Sequence, residues 1–418
     1  MAGTFPIEKP QRLVSLDAYR GFIMLAMVSG GLGFSAVARE FPDSWAWQAL
    51  AYQFSHVEWT GCGFWDLIQP SFMFMVGVAM PFSHVSRRAK GYSIFRIGVH
   101  TVYRAVFLVA LAVFLSSNSS RQTNFVFTNV LAQIGMGYCF VYLLVGCGFR
   151  IQLMAAAAIL VRYGWYFYAY ETPGPDAIAA LGLPDDWQQF TGGLGAQWNK
   201  HVNAAAEMDR WFLDLFPRAS SDPVVNGGGY TTLNFVPSMA TMIFGLMAGN
   251  LLRSPRTLRD QCRLLIAAGA ACLFFGLAVD GTIWPYFDWQ WTLCPIVKRI
   301  WTPSWAVFST GWTLWMLAAF FYLIEIRGYR RWAFPLVVVG MNSIAMYGMA
   351  QLVKGWVRGS LNTHLETVRP QLIEKTGWAI GDRIFDSTYG PILQSVSVLL
   401  VLWLICLWMY RRKIFLRI

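Results

Sequence analysis

Charged side chains are scarce in this sequence. Asp, Glu, Lys and Arg make up 13% of the 418 residues, whereas hydrophobic residues make up 56%. A soluble domain carries about a quarter charged residues. The apolar residues come in separate blocks of about 18–24, each long enough to cross about 30 Å of hydrocarbon. The shortage of charge therefore excludes an ordinary soluble domain and predicts an all-α, polytopic membrane protein.

Recognisable cofactor and disulfide motifs are also missing. The seven cysteines lie mostly in apolar runs, without paired spacing or a C-x-x-C pair, which argues against a disulfide framework or a zinc site, and no metal is expected. The sequence has no G-x-G-x-x-G, Walker, H-E-x-x-H or nucleophile-elbow motif. A polar first dozen residues gives no sign of a cleavable signal peptide. The absence of a clear internal repeat disfavours an inverted-repeat transporter.

The apolar blocks predict ten membrane spans in a single domain, residues 1–418, with an extracytoplasmic excursion at about 170–231. Arg and Lys concentrate in alternate loops, which places both termini in the cytoplasm by the positive-inside rule. The formal net charge of +11 is thus explained by topology rather than by nucleic-acid binding. The predicted spans are 15–36, 64–84, 96–116, 127–147, 151–169, 232–252, 262–280, 303–325, 334–353 and 391–410.

The stretch 56–83 combines ionisable side chains with a glycine-rich hinge at a predicted membrane boundary. His56 and Glu58 precede the hinge, and Asp66 lies near the start of the apolar run. Histidine exchanges a proton near neutral pH, and ionisable groups at membrane depth usually serve function. The alternative is a solvated His56 loop and a helix cap at Asp66. We predict that His56 is a general base or a covalent nucleophile, with Asp66 holding its tautomer and Glu58 as the alternative base.

Two further sets of charged residues have spacings that share one helix face. Asp17 and Arg20 are three apart and can pair, either as an interfacial anchor or as an inner-side gate or cofactor contact. Arg96, His100 and Arg104 are spaced by four. Arg96 can snorkel to headgroups, whereas Arg104 lies about 12 Å deeper and needs an internal partner or a ligand. A basic stripe of this kind suits a ligand that carries phosphate groups.

Polar residues within later spans provide the remaining candidates. Gln133, Asn342 and Ser343 are predicted either to bond between helices or to contact a cofactor. Lys298 lies on the outer side, against the topological trend, which favours a substrate contact. The residues predicted to contact a substrate on the outer side are Trp59, Asn234, Lys298 and Trp301.

Several motifs of this sequence resemble those of the heparan-α-glucosaminide N-acetyltransferase family and its bacterial members. They are His56-x-x-Trp59-x-Gly61, Asp66-Leu67-Ile68-x-Pro70, Arg12-Leu13-x-Ser15-Leu16-Asp17-x-x-Arg20-Gly21, Val130-Leu131-x-Gln133-Ile134-Gly135, Lys298-x-x-Trp301-Thr302-x-Ser304 and Gly340-Met341-Asn342-Ser343. The resemblance extends over nearly the whole chain. It departs from some relatives at Gln133, where they have Arg, and at Ser29-Gly30-Gly31, where they have an Asn.

The resemblance implies a transmembrane acyltransferase of a bacterial inner membrane. Such an enzyme moves acetyl from cytoplasmic acetyl-CoA to an extracytoplasmic amino sugar or other glycan. The expected partners are that acceptor and the lipid bilayer, with a homodimer left open and no nucleic acid. A small-substrate exporter and a sugar O-acetyltransferase are the alternative functions.

Overall fold

The computed structural model describes residues 13–118, 120–183, 187–218, 225–284, 291–376 and 387–416. Helices account for 72% of the structure. Within those ranges there is no strand, and the only sheet-like pairing is an isolated antiparallel bridge between Thr60 and Val297. The all-α prediction is therefore confirmed. Arg12, the first residue of the opening motif, lies outside the described residues.

The described residues form sixteen α-helices, numbered in chain order. They are α1 Val14–Ser29, α2 Phe34–Glu40, α3 Trp45–Gln53, α4 Ile68–Ala89, α5 Ile94–Ser116, α6 Val130–Leu143, α7 Phe149–Tyr168, α8 Pro175–Ala179, α9 Ala204–Leu213, α10 Phe235–Leu252, α11 Leu258–Asp280, α12 Pro303–Phe321, α13 Phe334–Gly340, α14 Ser343–Leu352, α15 Lys354–Thr376 and α16 Gly390–Arg411.

Six helical stretches among the described residues are long and apolar enough to cross a membrane, which indicates an integral membrane protein. They include α1 with α2, and α5, α10, α11, α12 and α16. A seventh exists if α13 and α14, bent by 65° at a short break, form one span. The predicted ninth span, 334–353, is thus divided into two helices, and its crossing of the membrane stays a prediction. The α6 helix, with 14 residues, is shorter than its predicted span. The count of ten spans and the cytoplasmic termini stay predictions.

The chain divides into two compact units. The first comprises residues 58–61 and 69–327 together with the N-terminal residues 1–13. Within it, α4 and α10 approach to backbone contact, since a Cβ at Gly77 would lie 1.9 Å from the Met242 oxygen and one at Gly245 would lie 2.0 Å from the Phe74 oxygen. Small residues permit such close helix contacts. The small-residue spacing Gly245-x-x-x-Gly249 predicts packing of this kind, and these contacts confirm it.

The described part of the excursion, residues 170–183, 187–218 and 225–231, belongs to the first unit and packs through aromatic side chains. Trp59, Phe167 and Trp198 are buried in one cluster, and the rings of Phe167 and Trp198 stack with centroids 4.6 Å apart. The Trp59 indole donates to the carbonyl oxygen of Trp198 at 2.9 Å. The described part of the excursion therefore shares a small aromatic core with Trp59 and α7.

The second unit comprises residues 14–57, 62–68 and 328–418. Here α1 crosses α13 at Gly21 and Gly340, where a Cβ would lie 1.8 Å from the Leu336 oxygen and 1.9 Å from the Asp17 oxygen respectively. Both glycines belong to motifs that carry the family resemblance, so these motif positions are required for packing. Residues 354–376 form the single helix α15. The prediction of one functional domain stays a prediction.

Candidate functional site

His56 and Asp66 form a hydrogen-bonded pair in the second unit. The Nδ1 atom of His56 lies 2.7 Å from Oδ1 of Asp66. The carboxylate is buried, with 2% of its side chain exposed, whereas 41% of the imidazole is exposed. A carboxylate accepts at Nδ1, so the proton of the neutral imidazole resides there and Nε2 carries the basic lone pair. The pairing predicted from the sequence is present.

The backbone around Asp66 fixes its carboxylate. Its second oxygen, Oδ2, accepts from the backbone N–H of Gly63 at 3.1 Å and of Val57 at 3.3 Å. Asp66 is in the short 3₁₀ segment Phe64–Leu67, so its backbone N–H returns to the Gly63 oxygen at 3.1 Å. Hydrogen bonds from fixed backbone donors orient the carboxylate, which in turn orients the imidazole.

Gln53 is a further positioning residue, one that the sequence analysis missed. Its side-chain oxygen accepts from the backbone N–H of Phe64 at 2.9 Å, two residues before Asp66. Nothing in the spacing of Gln53, the last residue of α3, distinguishes it from other polar residues near a helix end. Only the folded structure places this amide against the segment that carries the carboxylate.

A left-handed turn, Gly30–Gly33, lies against the chain that carries His56. All four residues have positive φ, with values of 63° at Gly30, 76° at Gly31, 53° at Leu32 and 75° at Gly33. A Cβ at Gly31 would lie 2.8 Å from the carbonyl oxygen of Phe54, two residues before His56. Glycine is needed at Gly31 both for its conformation and for this close approach.

Glu58 is exposed and belongs to the first unit, whereas His56 and Asp66 belong to the second. Trp59, also in the first unit, is 2% exposed within the aromatic cluster. Its indole N–H is engaged with Trp198. The reserve role of Glu58 and the acceptor contact of Trp59 stay predictions, and the structure adds a packing role for Trp59.

The predicted cofactor residues of the first unit lie among α4, α5 and α6. Arg104 donates to the Tyr138 hydroxyl at 3.2 Å and has its guanidinium 4.8 Å from that ring. A guanidinium nitrogen of Arg87 lies 3.0 Å from Nε2 of His100. The side-chain oxygen of Gln133 accepts from the side-chain amide of Gln69 at 2.9 Å. Yet the buried Nε of Arg104 and Nε2 of Gln133 have no hydrogen-bond partner among the described residues. Buried donors of this kind need an explanation, and a ligand supplies one.

The predicted cofactor residues of the second unit lie at α1 and at the break between α13 and α14. Arg20 and Asp17 pair at 3.6 Å, which confirms that they share a helix face. Asn342 is buried at the break, and its Oδ1 accepts from the backbone of Leu416 at 3.3 Å. Its Nδ2 is buried with no partner among the described residues. Ser343 begins α14.

The remaining predicted acceptor contacts hold the first unit together. Lys298 and Trp301 are buried, and the Trp301 indole donates to Thr241 at 3.3 Å. The Asn234 amide donates to the backbone oxygen of Arg299 at 2.6 Å. These contacts give Trp301 and Asn234 structural roles, and the acceptor contacts of all three residues stay predictions.

Burial shifts the pKa of Asp209, an aspartate in the excursion. Burial raises the pKa of Asp209 to about 6, against hydrogen bonds from Thr232 that act in the opposite direction. Both carboxylate oxygens of Asp209 accept from the Thr232 backbone N–H, at 3.1 and 2.9 Å. No group of three or more His, Cys, Asp or Glu side chains able to hold a metal occurs in the part of the chain that the structure describes.

One family model and one known protein provide a comparison. A family model described as "Domain of unknown function (DUF5009)" matches residues 12–170, which include His56 and Asp66. Heparan-alpha-glucosaminide N-acetyltransferase of Homo sapiens is 22% identical in an alignment that covers 89% of this chain. The chain spans 58% of the length of that relative. These similarities agree with the resemblance carried by the motifs, at the level of a related family.

Proposed function

We propose that this chain is a transmembrane acyltransferase that moves acetyl from cytoplasmic acetyl-CoA to an extracytoplasmic amino sugar or other glycan. The observation that carries the proposal is the His56–Asp66 pair, in which a buried carboxylate orients a half-exposed imidazole. This is the arrangement that general-base catalysis needs, because the orienting group is fixed and the base is accessible. The similarity to an N-acetyltransferase supports the type of reaction.

The chemistry assigned to the pair follows from the tautomer. With Nδ1 donating to Asp66, Nε2 accepts the proton of an attacking amine while the new C–N bond forms at the thioester carbonyl. The C–S bond then breaks, and the coenzyme A thiolate leaves with the proton that His56 had taken. In the two-step alternative, Nε2 itself takes the acetyl group before passing it to the amine.

Acetyl-CoA is the donor in this proposal, and two buried polar atoms of the first unit fit it. Arg104 Nε and Gln133 Nε2 are buried with no hydrogen-bond partner among the described residues. Coenzyme A is rich in phosphate and amide oxygens, which accept such bonds, and Arg binds phosphate especially well. His100, Asp17, Arg20 and Ser343 remain proposed coenzyme A contacts.

An exporter is the second candidate, and one observation favours it. The break of 65° between α13 and α14, at Gly340–Asn342, is a discontinuous membrane helix of the kind that transporters use at substrate sites. An exporter would need no proton transfer at His56. A sugar O-acetyltransferase would use the same residues as the proposed enzyme, with a hydroxyl in place of the amine.

The proposal is tested with the full chain purified in detergent. Incubation with acetyl-labelled acetyl-CoA and a panel of amino sugars and neutral sugars should transfer label to at least one amino sugar. Transfer only to neutral sugars would select the O-acetyltransferase. Absence of both transfer and acetyl-CoA hydrolysis, from protein that still binds coenzyme A, would favour the exporter.

The proposed topology is tested separately in sealed cells. Trp45→Cys places a thiol in a loop proposed to be outside, and Lys90→Cys places one in a loop proposed to be inside; both residues are exposed. Reaction with an impermeant maleimide should rise above that of the parent chain for Trp45→Cys alone. The reverse pattern would contradict a donor inside and an acceptor outside.

A further inference from the structure

Lys354 is a half-buried cation with an unusual position in the second unit. It is the first residue of α15, and its Nζ donates to the carbonyl oxygen of Val28 at 2.8 Å, in the last turn of α1. Among the described residues, no carboxylate pairs with it. Burial and the nearby charge of Arg358 lower the pKa of Lys354. The first turn of α15 adds a positive dipole end that also disfavours this charge, whereas the Val28 carbonyl in the last turn of α1 acts in the opposite direction.

The left-handed turn Gly30–Gly33 lies next to both Lys354 and the chain that leads to His56. A Cβ at Gly30 would lie 2.8 Å from Nζ of Lys354, and a Cβ at Gly31 would lie 2.8 Å from the Phe54 oxygen. Thus Gly30 lies next to the ammonium group of Lys354, and the adjacent Gly31 lies next to Phe54, two residues before His56. The turn is packed at its other end too, since a Cβ at Gly33 would lie 2.8 Å from backbone of Pro391.

A helix cap is the competing explanation for Lys354. Lysine side chains do bond the last carbonyls of helices and complement their dipoles. Here the Val28 carbonyl accepts one of the three ammonium protons. A cap does not explain why the cation is set at the start of another helix and beside Arg358, where its charge is disfavoured. A group that becomes negatively charged during the reaction explains both features.

We infer that Lys354 donates a hydrogen bond to the acyl oxygen when that oxygen becomes negative during acetyl transfer. This inference rests on the proposed function. As the amine nitrogen bonds to the carbonyl carbon, the carbonyl electron pair moves onto oxygen and the amine proton passes to His56. The oxygen then returns the pair, and the C–S bond breaks. A fixed cation at that oxygen stabilises the transition state more than the ground state.

The test compares Lys354→Met and Lys354→Arg with a matched control, Lys90→Met, at an exposed lysine in the first unit. Steady-state acetyl transfer is measured with acetyl-CoA and the amino sugar that the wild type accepts best. Loss of one oxyanion donor typically lowers kcat by about 10²–10³-fold, so Lys354→Met should do so with an acceptor KM within about threefold of wild type. Lys354→Arg retains the charge and donors and should recover most of the rate, and Lys90→Met should match wild type.

The outcomes separate the inference from the proposed function. If the wild type transfers acetyl and Lys354→Met keeps its kcat, Lys354 is a cap only and the inference is overturned. A raised acceptor KM with unchanged kcat would also overturn it, because Lys354 would then bind an anionic part of the acceptor. If Lys354→Met does not fold, the Lys354→Arg variant provides the test. A folded Lys354→Arg protein with no acetyl transfer would overturn the inference. Lack of transfer by the wild type would remove the proposed function, and this inference with it.

Discussion

His56 and Asp66 are ten positions apart in sequence, yet their Nδ1 and Oδ1 atoms are separated by only 2.7 Å. Two backbone N–H groups hold the remaining oxygen of Asp66. The carboxylate is therefore fixed by the chain, and the imidazole is fixed by the carboxylate. Substitutions of the orienting carboxylate, of the left-handed turn and of the imidazole should therefore have different effects on rate and stability.

Replacing Asp66 by Asn should slow acetyl transfer without preventing binding of coenzyme A. The amide cannot hold the Nδ1 proton as a carboxylate does, so the productive tautomer and the charge that stabilises the imidazolium are both lost. We expect a fall in kcat of about 10²–10⁴-fold, comparable to the loss of general-base catalysis. Calorimetric titration with coenzyme A should give a Kd near the wild-type value. Wild-type kcat in Asp66→Asn would mean that Asp66 is only a local cap.

Gly31→Ala should disturb the site more than a substitution at an equally left-handed glycine in open space. Gly91 is the matched control: its φ is 80°, and a Cβ added there would meet no atom within 4 Å. Gly31 has a φ of 76°, and its Cβ would meet the Phe54 oxygen at 2.8 Å. Both variants lose about 1–2 kcal/mol from the left-handed backbone. Only Gly31→Ala must also displace Phe54.

Thermal unfolding and acetyl transfer measure the two effects. Gly91→Ala should lose some stability and keep its rate, while Gly31→Ala should lose more stability and also show a reduced kcat in the protein that remains folded. Equal behaviour of the two variants would show that the Gly31–Phe54 approach has no bearing on His56.

The sequence predicted the His56–Asp66 pair because a histidine, an acid and a flexible glycine hinge occur together at a membrane boundary. It also predicted the packing of Gly245 and Gly249, since small-residue spacing directly reflects close helix contact. The left-handed turn was not predicted. Three glycines around Leu32 do not reveal that all four residues adopt positive φ. Lys354 was missed because it lies in a segment without a motif, and its environment comes from distant parts of the chain.

Aromatic residues were the hardest to interpret from sequence. Trp59 and Trp301 were predicted to contact the acceptor, but both are at most 2% exposed and use their indole N–H groups within the protein. A tryptophan in a core and one in a sugar-binding site have the same sequence signature, because both roles require a large apolar surface with one donor. Only tertiary burial separates them.

Arg104→Ala should weaken coenzyme A binding more than Arg96→Ala does. Arg104 is half-buried, and its Nε has no hydrogen-bond partner among the described residues, whereas Arg96 is exposed and has its guanidinium 4.3 Å from the Tyr92 ring. A desolvated Arg–phosphate bond is stronger and less screened by salt than an exposed one. Titration at two salt concentrations measures both effects. Equal, small changes in Kd would indicate that both arginines are structural.

Asp209 should make stability depend on pH in the opposite direction to a salt-bridged carboxylate. Burial raises its pKa from the ordinary value of 3.8 to about 6. The folded protein therefore binds this proton more tightly than the unfolded chain does. The contribution to stability is complete below about pH 4 and is lost as the pH rises through about 6. Because a tenfold change in proton affinity corresponds to about 1.4 kcal/mol, the loss is at most about 3 kcal/mol.

Asp209→Asn should remove this dependence, so the variant should gain stability relative to wild type above about pH 6. The matched control is Asp214→Asn, since the Asp214 side chain is 58% exposed. Thermal unfolding in detergent across that pH range, followed by tryptophan fluorescence, gives the comparison. A wild-type unfolding temperature that rises with pH relative to that of Asp209→Asn would contradict the burial of a protonated carboxyl group.

The central claim is that His56 carries the proton or the acetyl group, and acetyl transfer by His56→Ala tests it most directly. The matched control is His364→Ala, at an exposed histidine on α15. His56→Ala should retain its unfolding temperature and its affinity for coenzyme A while losing at least about 10²–10⁴-fold in rate, and His364→Ala should equal wild type. A His56→Ala protein that transfers acetyl at the wild-type rate would contradict the account.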